Sequence, residues 1–439
     1  MGKRIIAILL LAALFLLTGC QIRTVDQMYC LPRRPQSYNE LQQVIDAAMA
    51  DMEFCAPRTG QNRQTVQMED LDGDGIREYL VFARSVSEKS LYILVFSQQE
   101  GKYLLSDRVL CSGSSFDRVE YAQMDRQPGQ EILVGCQLDG LVPKAACVFR
   151  YASGKLQQHL MTGYTEFLTC DLNSDDCSEM MVLAAGTEES NAGTVTLYHM
   201  ETGSMERSNE SPMSGPVENL KRIISGNLLG GVPAVFVGST VEESAIITDI
   251  FSLIDGTLVN VSASSESGTS VQTLRNYYVY AGDMDGDGVV EMPALIPMKP
   301  VDQFPVASER HLIRWYAMGT GGNTADKLFT YHNYVEGWYM ELDPQWTHRI
   351  SVVQEEDAYS FYLWDETYET AEKIFSVYVL TGQSREEAAQ LDNRFVLLRT
   401  EMTVYAARME VASGALQITQ EDLIQSFHLI RQAWNTGET

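Results

Sequence analysis

A nine-residue motif that recurs five times constrains the fold of this 439-residue chain more than any other feature. In its fullest form it reads DLDGDGIRE, and the apolar run YLVF follows it. The five copies align through that run and begin 53, 48, 55 and 57 residues apart. We name them loops one to five, at residues 70–78, 123–131, 171–179, 226–234 and 283–291. A period of about 50 residues is typical of propeller blades and other stacked repeats.

The residues between successive loops have the pattern of short β-strands joined by hairpin turns. After loop one, SLYILVFSQ and KYLLSDRVL flank a Glu-Gly turn, and after loop four IITDIFSLI and TLVNVSA flank Asp255-Gly256. Short Gly-containing joints of this kind are hairpin signals. Each repeat therefore supplies about four antiparallel strands. This predicts a mainly β fold, a β-propeller of about five four-stranded blades.

The repeat resembles the FG-GAP repeats of integrin α-subunits and the bacterial VCBS-type repeats, whose loop D-x-[DN]-x-D-G-x-x-[DE] joins the first two strands of a blade. The resemblance spans residues 64–335; loops one and five match the whole pattern, loop three most of it, and loops two and four only its spacing. It implies structural Ca²⁺, bound by side chains at positions 1, 3, 5 and 9 and a backbone carbonyl at position 7. The implied ligands are Asp70, Asp72, Asp74, Ile76 and Glu78; Asp171, Asn173, Asp175, Cys177 and Glu179; and Asp283, Asp285, Asp287, Val289 and Glu291.

Coordination chemistry supports the same residues without the family. Ca²⁺ takes six to eight hard oxygen ligands at about 2.3–2.6 Å, whereas Mg²⁺ prefers near-ideal octahedral geometry and retained waters. Alternating aspartates on a tight turn bring their carboxylates together, and those charges repel one another unless a cation lies between them. Gly75 and Gly288 stand at position 6, where a positive φ lets the chain reverse. Loop three has Asp176 there, so we expect a weaker site.

Loop one is not an EF-hand, because its twelfth position is Val81 rather than a bidentate Glu, and a strand-like run follows it. The remaining alternatives are a calcium site and a solvated turn, since Asp and Gly clusters also mark plain turns. Loops two and four are predicted to be turns without metal. Gln123 and Gln127 replace two aspartates in loop two, and loop four has no carboxylate.

The first twenty residues, MGKRIIAILLLAALFLLTGC, predict a lipoprotein signal peptide. Lys3 and Arg4 form a basic region, and residues 5–17 form an apolar segment of signal-peptide length. The LTGC ending resembles the bacterial lipobox, which implies cleavage before Cys20 and lipidation of its thiol, for example by palmitate. An uncleaved membrane helix is the alternative, but the apolar run is short for a full span. We expect an extracytoplasmic bacterial protein anchored to the cell membrane through Cys20.

The charge of the chain excludes some partners. It carries 32 basic and 59 acidic residues, for a formal net charge of −27, which becomes −29 once Lys3 and Arg4 are removed with the signal peptide. Such a chain repels nucleic acid and anionic lipid headgroups, so we expect no nucleic-acid partner. Eight cysteines are present without a CxxC motif. Cys30 and Cys55 could form a bridge; the alternative is that the thiols are buried as small apolar groups.

Two further segments flank the propeller, which we expect over residues 61–336. Residues 21–60 are predicted to form a strand and a helix that pack on it. One face of that helix carries Leu41, Val44, Ile45, Ala48, Met49 and Met52. Residues 337–439 are predicted to form a small α+β domain in which Trp338 and Trp346 serve as core anchors or, alternatively, as ligand platforms. Its terminal helix is expected to start near Thr419, with Leu423, Phe427, Ile430 and Trp434 on one face.

The sequence contains no recognisable catalytic constellation. Its six histidines are scattered, and HExxH, GxSxG, Walker A and GxGxxG motifs do not occur. Two function classes remain. The first is a membrane-anchored binding lipoprotein whose propeller is braced by calcium and whose protein or glycan partner is unidentified. The second is a lipid-anchored enzyme that acts on polysaccharide or cell-wall material, and convergent acids beside a His or Arg at the propeller channel would favour it.

Overall fold

The computed structural model describes residues 36–138, 143–186, 190–201, 203–241, 245–277, 279–301, 311–355, 357–410 and 418–431. The predicted signal peptide, the expected lipidation site Cys20 and Cys30 lie outside these residues. Within the described ranges, no helix has both the length and the apolar character that crossing a membrane requires.

The described residues form six antiparallel sheets, of which the first four hold β1 to β17. Sheet one contains β1 (Met52–Phe54), β2 (Val66–Glu69), β3 (Glu78–Ser85), β4 (Leu91–Gln99) and β5 (Lys102–Cys111). Sheet two contains β6 (Ser115–Ala122), β7 (Glu131–Gln137), β8 (Lys144–Ala152) and β9 (Lys155–Gly163). Sheet three contains β10 (Glu166–Cys170), β11 (Glu179–Ala184), β12 (Thr194–Glu201) and β13 (Ser204–Pro212). Sheet four contains β14 (Leu220–Leu228), β15 (Val232–Val241), β16 (Ala245–Ile254) and β17 (Thr257–Asn260).

The last two sheets and the helices complete the described chain. Sheet five contains β18 (Glu291–Pro297), β19 (His311–Met318), β20 (Thr324–Asn333), β21 (Trp338–Leu342) and β27 (Phe427–Leu429). Sheet six contains β22 (Ile350–Gln354), β23 (Tyr359–Trp364), β24 (Ala371–Thr381), β25 (Phe395–Arg399) and β26 (Thr403–Met409). The helices are α1 (Gln36–Ala48), α2 (Arg385–Ala388) and α3 (Gln420–Ser426).

Alternation of side chains along each strand lets one sheet bury both of its faces. In β3, Leu80 and Phe82 contact the core shared with sheet two, whereas Val81 and Ala83 contact the core beneath α1. Further shared cores join sheets two and three, three and four, four and five, and five and six. The predicted fold class is confirmed: the chain is mainly β, with propeller-type four-stranded sheets followed by a smaller part that contains α2, α3 and sheet six.

The predicted N-terminal helix is confirmed and covers one face of sheet one. Leu41 and Ile45 of α1, together with Met49 and Met52 after it, are buried against β3 and β4. Burying this face against a helix removes the apolar surface that an open sheet would otherwise leave exposed. The strand that follows, β1, pairs with β3 and extends the edge that β2 also occupies.

The C-terminal part differs from the prediction in two places. The expected boundary between residues 336 and 337 falls inside sheet five, because β20 pairs with β21 and β21 with β27. α3 begins after Thr419, which forms a capping box with Asp422, but it ends at Ser426, so the longer predicted helix is wrong. Phe427 starts β27 instead, because pairing with β21 satisfies the backbone N–H and C=O groups that a longer helix would have bonded internally. Trp434 lies outside the described residues.

Burial decides one alternative left open by the sequence and bears on a second, the state of the cysteines, although Cys30 lies outside the described residues. Trp338 and Trp346 lie in the core shared by sheets five and six, as the core interpretation predicts. Cys55 carries a free thiol, as do Cys111, Cys136, Cys147, Cys170 and Cys177. Four of these six thiols are buried, which agrees with the view that they act as small apolar groups.

Candidate metal centres

Each recurring loop leads into the second strand of a sheet. The Glu at position 9 is the first residue of that strand in four sheets: Glu78 in β3, Glu131 in β7, Glu179 in β11 and Glu291 in β18. Loops one to three follow the first strands β2, β6 and β10, and in loop five an isolated bridge between Gly282 and Glu291 takes the place of a first strand. Loops one to three therefore join two paired strands of one sheet, as expected, and loop five joins an isolated bridge residue to β18.

The same hydrogen bond from the position-9 glutamate closes four of the five loops. Oε2 accepts from the backbone N–H at position 2 at distances of 3.0 Å for Glu78, 2.9 Å for Glu131, 2.8 Å for Glu179 and 2.7 Å for Glu291. None of the four residues is more than 2 % exposed. In Glu291 the other oxygen, Oε1, is buried and has no hydrogen-bond partner among the described residues. A carboxylate is thus held rigidly inside each turn.

The aspartates of loops one and five shape the turn through side chain–backbone hydrogen bonds. Asp70 accepts from Gly73 N–H at 2.8 Å and from Gly75 N–H at 3.0 Å, and Asp283 accepts from Gly286 and Gly288 at 2.7 and 3.0 Å. Position 5 accepts from the N–H of position 7 in loops one, three and five, where the donors are Ile76, Cys177 and Val289. Loops one and five are therefore near-copies of one another, although 213 residues separate their starts.

Three predicted side-chain ligands converge in each of loops one, three and five. The groups are Asp70, Asp72 and Glu78; Asp171, Asp175 and Glu179; and Asp283, Asp285 and Glu291. Within each group one oxygen per residue lies within 4.8 Å of the others. Two ligands on opposite sides of a Ca²⁺ ion, at about 2.4 Å each, are about 4.8 Å apart, so these groups fit one ion. Asp74 and Asp287 lie on the same turns outside these groups. Asn173 lies beside its group, because its Nδ2 donates to Glu179 Oε1 at 2.6 Å.

Loop three adopts this turn without its glycines. Ser174 has φ 60° and Asp176 has φ 67°, where loop one has Gly73 at 73° and Gly75 at 84°. The left-handed backbone expected at position 6, Asp176, is confirmed, and position 4, Ser174, is a second left-handed residue. Left-handed backbone costs a non-glycine residue about 1–2 kcal/mol, so loop three holds its acids at some cost in stability.

Burial and crowding change the acidity of the position-9 glutamates. Burial is the main cause that raises the pKa of Glu78, Glu179 and Glu291 to about 7. The hydrogen bond from the position-2 N–H lowers the pKa, and the negative charge of the nearby aspartates raises it. In the absence of a cation these three carboxyls therefore titrate near neutral pH. A bound divalent cation would favour their ionised form.

An arginine on a neighbouring strand lies among the acids of loop two, and the sequence pattern did not connect it with that loop. The guanidinium of Arg150, on β8, contacts the Asp125 carboxylate and lies 3.4 Å from Glu131 Oε1 and 3.1 Å from Gln127 Oε1. These are positions 3, 9 and 5 of the motif. The side chains of Arg150, Asp125 and Glu131 are 15, 12 and 3 % exposed. Loop two keeps two of the acids and supplies its own cation to them.

Loop five also has a lysine beside its acids. Lys327 Nζ, from β20, contacts Asp287 and lies 3.5 Å from Asp285 Oδ2 and 4.0 Å from Glu291 Oε1. Its hydrogen bond to Asp287 raises the pKa of Lys327. Among the described residues, the one cation that forms a salt bridge with loop three is the largely exposed Arg126, 3.8 Å from Asp175. In the described part of the chain, the acids of loop one have no salt bridge to Lys, Arg or His.

Neighbouring loops contact one another. A Cβ atom on Gly73 would come within 2.3 Å of Pro128 in loop two, so the two turns are in close contact. Ser178 N–H in loop three donates to Gln123 O in loop two at 2.7 Å. Asn227 of loop four, which has no acid, donates from Nδ2 to Gly288 O in loop five at 2.9 Å. An ion in one loop would therefore brace its neighbours as well.

No family model and no curated protein matches the chain. Among solved structures it is similar to the rhamnogalacturonan lyase YesW, with 11 % identity and a TM-score of 0.30 over 73 % of this chain and 83 % of that one. The values for the exotype rhamnogalacturonan lyase YesX are 9 % and 0.29, over 74 % of this chain and less than two thirds (65 %) of that one. The chain is also similar to the β-propeller domain of the Trilobed protease from Pyrococcus furiosus, which is described as having an open velcro topology. The identity is 11 % and the TM-score 0.29, over 72 % of this chain and 89 % of that one. Such low TM-scores carry no argument about activity.

Proposed function

We propose that the chain is a membrane-anchored, extracytoplasmic binding lipoprotein whose β-propeller is braced by Ca²⁺ in loops one, three and five. The supporting observation is that three carboxylates converge in the same turn of three sheets, from motif positions 1, 3 and 9 in loops one and five and from positions 1, 5 and 9 in loop three. Acids this close are unstable together without a cation, and a carboxylate-rich set of this size suits Ca²⁺. The role of the ion is structural: it binds the folded chain and stabilises it by mass action.

Calcium binding is tested by calorimetric melting and by metal analysis of the purified protein. We expect EDTA to lower Tm and added Ca²⁺ to restore it, and Asp72→Ala with Asp285→Ala to remove most of that shift. Mg²⁺ at equal concentration should restore less, because it keeps its waters. A melting curve that is identical in EDTA and in Ca²⁺ would contradict the proposal.

The anchor and the location rest on the sequence of residues 1–20 and need their own test. We expect the protein of the source cells to partition into the detergent phase and to incorporate a fatty-acid label. Cys20→Ala should abolish the fatty-acid labelling and leave the signal peptide uncleaved, so that any remaining detergent partitioning comes from the apolar segment of the precursor. Unchanged labelling of Cys20→Ala would contradict anchoring through this residue.

The partner is proposed to be a surface protein or a glycan. The net charge of −27 disfavours nucleic acid as well as anionic surfaces. A pull-down with the intact protein in Ca²⁺ buffer, repeated in EDTA, separates partners that need the braced fold from those that do not.

An enzyme that acts on polysaccharide is the second candidate, and one cluster favours it. Arg118 of β6 forms salt bridges to Glu120 on the same strand and to Glu166 on β10, so two carboxylates converge on one cation at the first strands of sheets two and three. Burial raises the pKa of Glu120, against the charge of Arg118, as a general acid would require. Glu120→Gln and Glu166→Gln should each abolish any hydrolysis or lyase activity. Without such activity, the cluster is an ion-pair network that joins the two sheets.

A further inference from the structure

A cavity of about 190 Å³ lies at one end of sheet five. It is formed where β18 ends, β19 begins and β20 ends, and Gln354 and Tyr359 of sheet six line one side. Loop five lies at the other end of β18. The cavity is therefore separate from the metal loops, and an inference about it stands independently of the calcium proposal.

Aromatic rings dominate the wall of this cavity. Its lining includes Tyr277, Tyr331, His332, Tyr334 and Tyr359. The ring of Tyr334 lies 5.7 Å from that of Tyr277 and 5.4 Å from that of His332, measured between centroids, so these three form one continuous wall. Tyr277 is 45 % exposed and stands at the mouth, which leaves the cavity accessible from solvent.

The described lining offers a ligand no carboxylate, ammonium or guanidinium group. It contains no Asp, Glu, Lys or Arg. Burial lowers the pKa of His332 to about 3 and raises that of Tyr334, so the imidazole and the phenol are neutral at pH 7. A charged ligand would find no counter-ion here. The ligand that this cavity fits is uncharged.

One buried polar group in the wall requires a partner. Asn333 is 5 % exposed, and its Oδ1 accepts from Glu336 N–H at 3.1 Å, which fixes the orientation of the amide. Its Nδ2 is buried and has no hydrogen-bond partner among the described residues. A buried donor without an acceptor is costly, and an acceptor oxygen on a ligand would satisfy it.

We propose that this cavity binds one neutral sugar ring, as a free monosaccharide unit or the end of a glycan. The apolar C–H face of a pyranose suits the aromatic wall, and its hydroxyl oxygens can accept from Asn333 Nδ2. A cavity of about 150 Å³ admits benzene, so the ring of a sugar enters a cavity of about 190 Å³ while its substituents extend toward the mouth at Tyr277. A quaternary ammonium ion or a purely aromatic compound would fill the same space but would leave the Asn333 donor without an acceptor.

The test is titration of the intact protein, in detergent and Ca²⁺, with methyl glycosides of neutral hexoses, deoxyhexoses and N-acetylhexosamines. Binding is read by isothermal titration calorimetry and by saturation-transfer NMR. Choline and benzyl alcohol serve as the cationic and aromatic probes. We expect at least one glycoside to bind at millimolar concentration or below, and to bind better than either of the other two probes.

Variants of the wall locate the site. Tyr277→Ala should weaken binding about tenfold while Tyr277→Phe retains it, because the ring face rather than the hydroxyl makes the contact. Asn333→Asp keeps the acceptor for Glu336 N–H and removes the donor, and should weaken binding about fivefold. Phe54→Ala, at an exposed aromatic on β1, is the matched control and should have no effect.

Three results would overturn the proposal: no glycoside binding at millimolar concentration, binding that Tyr277→Ala and Asn333→Asp leave unchanged, or preferential binding of choline or benzyl alcohol. Melting curves show whether each variant is folded. Repeating the titration with Asp72→Ala and Asp285→Ala below their Tm separates the two proposals. Sugar binding retained there, with calcium binding lost, shows that each stands alone.

Discussion

Loops one and two share a turn, a register and a closing glutamate, yet they differ in how their negative charge is balanced. In loop one, Asp70, Asp72 and Glu78 converge without a salt bridge in the described part of the chain. In loop two, the guanidinium of Arg150 lies between Asp125 and Glu131. One loop is suited to a cation from solution, and the other carries a cation of its own. The difference indicates that the turn needs positive charge, whatever its source.

Among the substitutions, removing the internal cation of loop two should have the largest effect. Arg150→Met leaves Asp125 and Glu131 buried without their partner, and breaking a buried pair in this way costs about 3 kcal/mol. We expect a fall in Tm of roughly 5 °C in a calorimetric scan. Arg207→Met, which breaks the exposed pair with Glu210, is the control and should be nearly silent. If the two variants melt alike, Arg150 is not the counter-ion of loop two.

The metal-free protein should become less stable as pH rises. Glu78, Glu179 and Glu291 have folded-state pKa values of about 7 against 4.5 for the unfolded chain. Their contribution is fully present below pH 4.5 and is lost as the pH rises through about 7. In EDTA we expect Tm to fall by roughly 5 °C between pH 5.5 and 8. Replacing all three by Gln should flatten that slope; an unchanged slope would assign it to other groups.

Loop five, with Lys327 beside its acids, lies between the two extremes. Lys327→Met should tighten Ca²⁺ binding at loop five about tenfold, because the ammonium repels the ion and competes for Asp285 and Asp287. Calorimetric titration in an Asp72→Ala, Asp175→Ala background isolates this loop. Lys155→Met, which removes a lysine paired with Asp107, is the control. Weaker calcium binding by Lys327→Met would mean that the lysine supports the site.

The smallest effect is expected from the backbone of loop three. Ser174→Gly with Asp176→Gly removes the strain of two left-handed residues. The two added glycines also raise the entropy of the unfolded chain, so we expect a net gain in the free energy of unfolding of about 1 kcal/mol. Gly75→Ala in loop one is the reverse change without an added charge: a Cβ there meets nothing within 4 Å, so only the backbone strain is added. Denaturant unfolding measures both. A loss in loop three would show that the Asp176 side chain contributes more than its backbone costs.

The sequence by itself determined the features that depend on residues close together in the chain. The hydrogen bonds that shape loop one join residues two to seven positions apart, so the spacing of Asp70, Asp72 and Glu78 was sufficient to predict their convergence. The same holds for the positive φ of Gly75 and for the buried face of α1. Local sterics and side-chain periodicity control all of these.

Only the tertiary structure decided which distant groups complete each loop. Arg150 lies 25 residues from Asp125, and Lys327 lies 42 residues from Asp285, so their pairing depends on strand register and on the packing of whole sheets. Likewise Phe427 joined sheet five because β21 offered an unpaired edge, and the aromatic cavity gathers residues from Tyr277 to Tyr359. A charge or a ring carries no sequence signal for a partner that only folding brings near. For that reason the turns were predictable, and their counter-ions and the cavity were not.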